Sequence, residues 1–462
     1  MKKLITMATI LQLGAANASV VAIMDSGTDI THKDLAPKVW TNKNEVEGSL
    51  VDLDGSGFPG DVHGWDFTEM KANPFNDKYN YLITDDVKKF YSVYAKYETK
   101  TISTEEFNWL KDVVENKKEL MNIVDFVGGY AHGTHVAGIS ALSNNKAQIL
   151  GIKLLPTVYQ EPEKEVGQRE QVQLELDFDA PISIEDFKAE VAKDAATQVD
   201  EMTPLSAYLN FHKVDVVNQS FGIGFSKVVE MLGGQFVAKI KRQPTQDELL
   251  DVLVLYFGVL LQKGPEMFKA APNTLFVVAA GNDTSDNDAL PDFPASIQAS
   301  NKISVAATFG YKEIAEFSNF GAKTVDVAAP GVAIESTTPA QSYLAMSGTS
   351  QAAPFVTNTI SLVKDANPAL KAEEVKAIVL KTVDVKAWLK GKVATSGIVN
   401  KARAVKAAEL SKTMTLDLAI AKARTAVLDV AVPKAFTKLP AGMKLNYKPV
   451  RPTLELKFPS LK

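Results

Sequence analysis

The 462-residue chain contains no cysteine. That absence excludes disulfides, thiolate zinc sites, iron–sulfur clusters and a cysteine nucleophile, so chemistry has to come from oxygen and nitrogen side chains. An excess of positive charge is missing as well. With 50 Lys and Arg against 55 Asp and Glu the formal charge is −5, which supplies no electrostatic reason to expect nucleic acid as a partner. Past the N-terminus no apolar run approaches the roughly 20 residues that a membrane-spanning helix needs. What remains is globular material: 46% hydrophobic and 23% charged residues exclude a disordered or collagen-like chain and leave enough apolar surface for a large core.

Lys2 and Lys3 precede an apolar stretch over residues 4–16, and Ala16-Asn17-Ala18 offers the small residues read at a signal cleavage site. Residues 1–18 are expected to be a cleaved secretory signal, which implies a secreted or periplasmic protein. An amphipathic first helix competes with that reading, because Thr6, Gln12 and Asn17 interrupt the apolar run. From residue 19 onward β-rich and helix-like segments alternate. Short apolar runs at 19–24, 214–218, 274–280 and 302–307 suit strands buried on both faces of a parallel sheet. Helical periodicity falls at 183–211, 246–268 and 350–367. The pattern predicts an α/β fold, a layered, mainly parallel sheet with right-handed crossovers. In such sheets ligands bind beyond the carboxyl ends of the strands, so polar residues just after strands are the first candidates.

Asp25 follows VVAIM, His132 opens HGTHVAGI, and Ser350 lies in GTSQAAPFV. Taken singly, such an Asp reads as a turn or cap residue and such a His as a packed core residue. Together with their flanks the segments resemble the subtilisin-like serine peptidases, the subtilases. The Asp motif is VVAIMDSGTDITHKDL, the His motif HGTHVAGI and the Ser motif GTSQAAPFV, in the family's order. VVNQSFG around Ser220 and VVAAGND around Asn282 fall between them, also in order, and SGIVNKARAVKAA is similar to the family's last core helix. The likeness runs from about residue 19 to 408, interrupted by inserts, and implies the three-layer subtilisin-like fold.

The resemblance implies Ser350 as nucleophile, His132 as general base and Asp25 as the carboxylate that orients the imidazole. The residue types suit acyl transfer: a serine hydroxyl is a weak nucleophile without an adjacent base, and imidazole titrates near neutral pH. Asn282 and the backbone N–H of Ser350, at a helix start, are implied as oxyanion donors. The related sedolisins pair Ser with Glu and Asp, whereas the base here is an imidazole. His132 and His135 lack the accompanying Glu of a zincin, so His135 is read as a packed helix residue. Pro354 is expected in a first helical turn. Ser220, Phe221 and Gly222, with Ala279, Ala280 and Gly281, are implied as the edges along which an extended peptide lies and as walls of the pocket for the residue before the scissile bond. Asp283, Asp286, Asp288 and Asp292 follow closely; they either draw basic side chains into nearby subsites or form a solvated acidic loop.

Calcium is the cofactor the resemblance implies, with Asp34 and Asn145 as ligands, although Lys146 and Gln148 depart from the family's loop. A second oxygen-rich turn, Asp52-Leu53-Asp54-Gly55-Ser56-Gly57, lacks Glu at the twelfth position, where His63 stands. Inserts are expected at about 41–131, 156–201 and 224–272, emerging as surface elaborations of one catalytic domain over 19–411. Aromatics at Phe90, Tyr91, Tyr94, Tyr97, Phe107 and Trp109 mark the first insert as a helical add-on with its own core or a lid over the cleft. Residues 412–462 form an extension expected to dock on the catalytic domain, in the role of the inhibitory prodomain that the resemblance implies before the Asp strand and for which Asp25 is expected to leave no room. The expected function is a monomeric serine endopeptidase acting on proteins or peptides; the alternative is a catalytically silent binding protein of the same fold.

Overall fold

The computed structural model describes residues 18–160, 180–432, 443–445 and 447. The signal expected at the N-terminus, the acidic part of the second insert and most of the C-terminal tail lie outside the described residues.

In chain order the strands are β1 (Val20–Asp25), β2 (Gly64–Asp66), β3 (Gln148–Lys153), β4 (Val216–Gln219), β5 (Leu275–Ala279), β6 (Lys302–Phe309), β7 (Glu313–Ile314), β8 (Val327–Pro330), β9 (Ile334–Thr338), β10 (Ser342–Met346), β11 (Asp384–Val385) and β12 (Gly397–Ile398). The main sheet runs β11-β12-β8-β6-β5-β4-β1-β3-β2. All its pairings are parallel except β11 on β12 and the short β7 on β6. β9 and β10 form a separate antiparallel hairpin.

Side-chain alternation along a strand builds two cores. Val21 and Ile23 of β1 pack into one cluster; Ala22 and Met24 pack into the other. The first core is closed by α4 (His132–Ser140), α9 (Thr349–Ala366), α10 (Ala372–Lys381), α11 (Lys401–Leu410) and α12 (Leu416–Ala426). The second is closed by α5 (Ile184–Phe211), α6 (Phe225–Ile240), α7 (Gln246–Lys263) and α8 (Pro265–Lys269). The result is a three-layer α/β fold.

Two boundaries differ from the sequence expectation. The second insert was placed to end at 201, yet α5 continues to Phe211, and its apolar face (Phe187, Val191, Val199) lies in the core with Phe236 and Tyr256 of α6 and α7. These helices are therefore a covering layer of the sheet, not surface additions. The helix expected over 246–268 divides at Gly264-Pro265, because proline cannot continue a helix but fits the first position of the next. After residue 412 comes α12, whose Ile420 and Ala423 are buried in the same core as α11. The first insert also lends β2 to the sheet edge, where Asp66 meets Lys153 at 2.9 Å in a buried ion pair.

The rest of that insert is helical: α1 (Asp85–Glu98), α2 (Thr104–Asn116) and α3 (Lys118–Tyr130). Thr84 caps α1, and Ser103 with Glu106 makes a capping box on α2. The three helices bury Phe90, Phe107, Leu110, Val113 and Val124 together, joined by Leu344 and Met346 of β10. Among the described residues no helix is long and apolar enough to cross a membrane.

Candidate active site

Asp25 is the last residue of β1, so its carboxylate stands at the carboxyl edge of the sheet. His132 opens α4 and points its ring back at it: Nδ1 lies 2.8 and 3.0 Å from the two Asp25 oxygens. Gly133 permits this approach, since a Cβ there would fall 2.2 Å from the Gly27 carbonyl oxygen. Both His132 and Asp25 are buried, at 1% and 0% exposure, and a charge-assisted contact out of water is stronger than a surface one. The opposite nitrogen, Nε2, has no hydrogen-bond partner among the described residues and borders a cavity shared with Ser350 and Asn282.

Ser350 is the second residue of α9, reached from the β9–β10 hairpin through Ser347 and Gly348. Its hydroxyl donates to the Ser220 carbonyl at 3.2 Å, and the Ser220 hydroxyl donates to the Ser350 carbonyl at 2.9 Å. The second bond has a cause in the sequence. Pro354 lies in the second turn of α9, not the first, so its missing N–H leaves the carbonyl four residues back, that of Ser350, without its helical donor. Ser220 fills that vacancy and is itself held by Asn218 Nδ2 at 2.7 Å.

Asn282 follows β5. Its Oδ1 accepts from the Thr349 N–H at 2.9 Å and the Thr349 hydroxyl at 3.1 Å, so the acceptor end of the amide faces the helix start and the donor end is left for the cleft. Ser220, Phe221 and Gly222 extend from β4, and Ala280 and Gly281 extend from Ala279 at the end of β5, so the two expected edges lie beside neighbouring parallel strands. The side chains of Phe221, Ala279 and Ala280 turn into the core, leaving backbone and glycine toward the cleft.

The helical insert reaches the site as well. The cavity at His132, Asn282 and Ser350 is walled by Phe90, Tyr91 and Tyr94 of α1, Val124 and Asp125 of α3, and Met346. Tyr447 of the tail lines it too. Its ring packs edge-on against Phe90 and Tyr94 at 6.0 and 5.8 Å between centroids, and its hydroxyl donates to Asp125 at 3.0 Å. The Leu445 N–H donates to the Tyr97 hydroxyl at 3.2 Å.

Comparison with known proteins decides the family. The model of the subtilase family matches residues 16–409. The chain belongs to the subtilase family. Among its relatives are subtilisin-like protease 2 of Plasmodium falciparum, 40% identical over 111 residues (23% of this chain, 8% of that protein), and subtilisin-like protease 1 of the same organism, 23% identical over 415 residues (85% and 44%). The chain thus spans less than half the length of either relative. A crystal structure of a lanthipeptide protease is similar at 17% identity with a TM-score of 0.44, covering 84% of this chain and 88% of that one.

In this subtilase the second histidine of the His motif is structural. His135 is wholly buried, with Nε2 3.0 Å from the carbonyls of Ile334 and Leu344, and burial holds its pKa down at about 3. The expected calcium ligands Asp34 and Asn145 are both exposed. Asp34 accepts from the Tyr343 hydroxyl at 2.7 Å, and the Lys38 ammonium donates to the Ala141 carbonyl at 2.8 Å, a cation already seated at the loop after α4. In that loop it is Asn144, not Asn145, that is buried, bonded to Ser361 and Asp365. The oxygen-rich turn is better furnished. Asp52 and Asp54 lie with Glu45 in one cluster whose ligand atoms are all within 4.8 Å, and Asp54 shares a second with Asp61 and His212. Glu45, which stands upstream of the turn, adds a third carboxylate to Asp52 and Asp54. No spacing in the sequence signals this, because a chain reversal brings Glu45 back to the N–H groups of Leu53, Asp54 and Gly60.

Proposed function

We propose that this subtilase is a serine endopeptidase that hydrolyses peptide bonds in proteins through an acyl-enzyme on Ser350. The observation that carries the reading is the buried Asp25–His132 pair, its Nε2 without a hydrogen-bond partner among the described residues, on the same cavity as Ser350 and Asn282. Rotation of the Ser350 hydroxyl from the Ser220 carbonyl to another staggered position releases it to His132. Nε2 then takes the hydroxyl proton as Oγ attacks the scissile carbonyl, and Asp25 stabilises the imidazolium. The developing oxyanion is held by the Asn282 amide and the Ser350 N–H at the start of α9. His132 returns the proton to the leaving amine, and water repeats the sequence to free Ser350.

A fluorophosphonate probe is expected to label Ser350 in the native protein and to fail in His132→Ala. Correctly folded native protein that stays unlabelled would favour the competing class, a silent binding protein. An occupied cleft is the specific observation on that side, since Tyr447 lines the cavity. We read that contact as regulation: residues 443–447 act as an intramolecular competitor on the leaving-group side of Ser350. The position supports this side, because the cavity contains the proton-donating face of His132 and none of the Ser220–Gly222 or Ala279–Gly281 walls.

Glu45, Asp52 and Asp54 fit calcium, a hard cation that takes several carboxylate oxygens, and would brace the β1–β2 connection away from the chemistry. A chelator is then expected to lower the melting temperature, and an unchanged melting temperature removes the site. Export through residues 1–18 belongs to the same proposal; a mature protein that still begins at Met1 contradicts it.

A further inference from the structure

Of the four carboxylates that follow Asn282, Asp286 and Asp288 serve the loop itself. Asp286 accepts from the Asp288 N–H, and Asp288 accepts from the N–H groups of Lys323 and Thr324. Asp292 is different. It is 2% exposed, and among the described residues neither of its carboxylate oxygens has a hydrogen-bond partner. Buried carboxylates are almost always bonded or paired, because an isolated charge out of water is strongly unfavourable. The nearby cation, Lys302, donates to the Ala295 carbonyl and does not bond Asp292.

Three glycines aim this carboxylate. The backbones of Ile223 and Phe293 pair in both directions, at 2.9 and 3.1 Å, which pins Asp292 beneath the segment that leaves β4. A Cβ placed on Gly222 would come within 2.9 Å of Asp292 Oδ1, and one placed on Gly281 within 2.7 Å of Oδ2. A Cβ on Gly224 would meet Asp283 Oδ2 at 2.4 Å and Asp292 Oδ2 at 3.4 Å. Gly222 and Gly281 are the wall glycines beside Ser220 and Asn282. The absence of side chains at these positions opens the space between the walls down to the Asp292 oxygens.

We propose that Asp292 is the specificity-determining residue of the pocket for the residue before the scissile bond, and that this pocket takes lysine or arginine. The assignment rests on the endopeptidase reading above and deepens it by naming the substrate class. A long cationic side chain would bring three or more N–H donors to a carboxylate whose acceptors are otherwise unused, with its methylenes between the glycine walls. Protonation is consistent with the geometry: burial first and the neighbouring Asp283 second raise the Asp292 pKa well above the ordinary carboxylate range, against the pull of Lys302. An incoming ammonium or guanidinium shifts that balance by supplying a directly bonded counter-charge beside the more distant Lys302.

The test compares peptide substrates that differ only at the residue before the scissile bond, lysine against its uncharged isostere norleucine, on the full chain. The kcat/KM ratio is expected to favour lysine, and Asp292→Asn, with folding checked by its melting curve, is expected to reduce that ratio by about 10- to 100-fold, the worth of a hydrogen-bonded charge. A native enzyme that labels with fluorophosphonate yet cleaves both substrates equally overturns the proposal while leaving the endopeptidase reading intact. Should labelling fail, the same preference is read as binding of lysine- and norleucine-containing peptides to Ser350→Ala protein by calorimetry. Equal binding there overturns it, as does calcium uptake lost in Asp292→Asn without any peptide preference.

Discussion

The two sides of Ser350 are built from different material. On one side the walls are glycine backbone at the ends of β4 and β5, and the floor is a buried carboxylate held by the Ile223–Phe293 pairing. On the other the wall is aromatic, from α1 and α3 of the helical insert, and carries Tyr447 of the same chain. The first side belongs to the central sheet, where β4 and β5 are buried along their whole length; the second belongs to helices with a core of their own. On the proposals above the labour divides: charge is recognised beside the sheet at Asp292, and access to Ser350 is governed by the helices of the insert. If so, changes on the two sides should act independently, as changes at distant sites without shared partners do.

Asn282 stands between the two sides, so it gives the largest test. Asn282→Ala is expected to lower kcat by two to three powers of ten, the size found for the corresponding donor in a subtilisin. The loss should be the same for lysine and norleucine substrates, and the same whatever follows the scissile bond. A loss that depends on the substrate would show that Asn282 belongs to one side, and the comparison would fail. Asp292→Asn, smaller in effect, is expected to move only the lysine-to-norleucine ratio. A set of substrates varied after the scissile bond should keep its order in that variant.

The parts legible in the sequence are those set by local pattern. The apolar β-rich runs became β1, β4, β5 and β6, and the Gly-framed motifs around Asp25, His132 and Ser350 carried the family. What escaped was set by contacts distant in sequence. Asp292 is one of four acidic residues that the sequence offers for drawing basic side chains, with nothing to single it out; only its neighbour's pairing with Ile223, about 70 residues upstream, carries it under Gly222. Ser220 is implied by the sequence only as an edge for the peptide, yet its hydroxyl supplies the donor that Pro354 withholds from Ser350. The aromatics of the first insert announced helices with a core. Which face would meet the cleft depends on how α1 packs against β10, and no periodicity encodes that.

The smallest expected effect bears on the aromatic side. Tyr447 fills space against Phe90 and Tyr94 and bonds Asp125, whose pKa is raised by burial and drawn back by that bond. A single aromatic contact of this kind is worth about 1 kcal/mol, and a tethered competitor blocks only in proportion to its occupancy. In the full chain, Tyr447→Ala is therefore expected to lower KM severalfold for substrates with a large apolar residue after the scissile bond, with kcat unchanged. A synthetic peptide spanning residues 441–450 should inhibit that variant competitively. If KM stays the same or rises, Tyr447 is a structural strut of the insert and not a competitor. The lysine-to-norleucine ratio provides the internal control, since it reads the opposite side of Ser350 and should not respond to the tail at all.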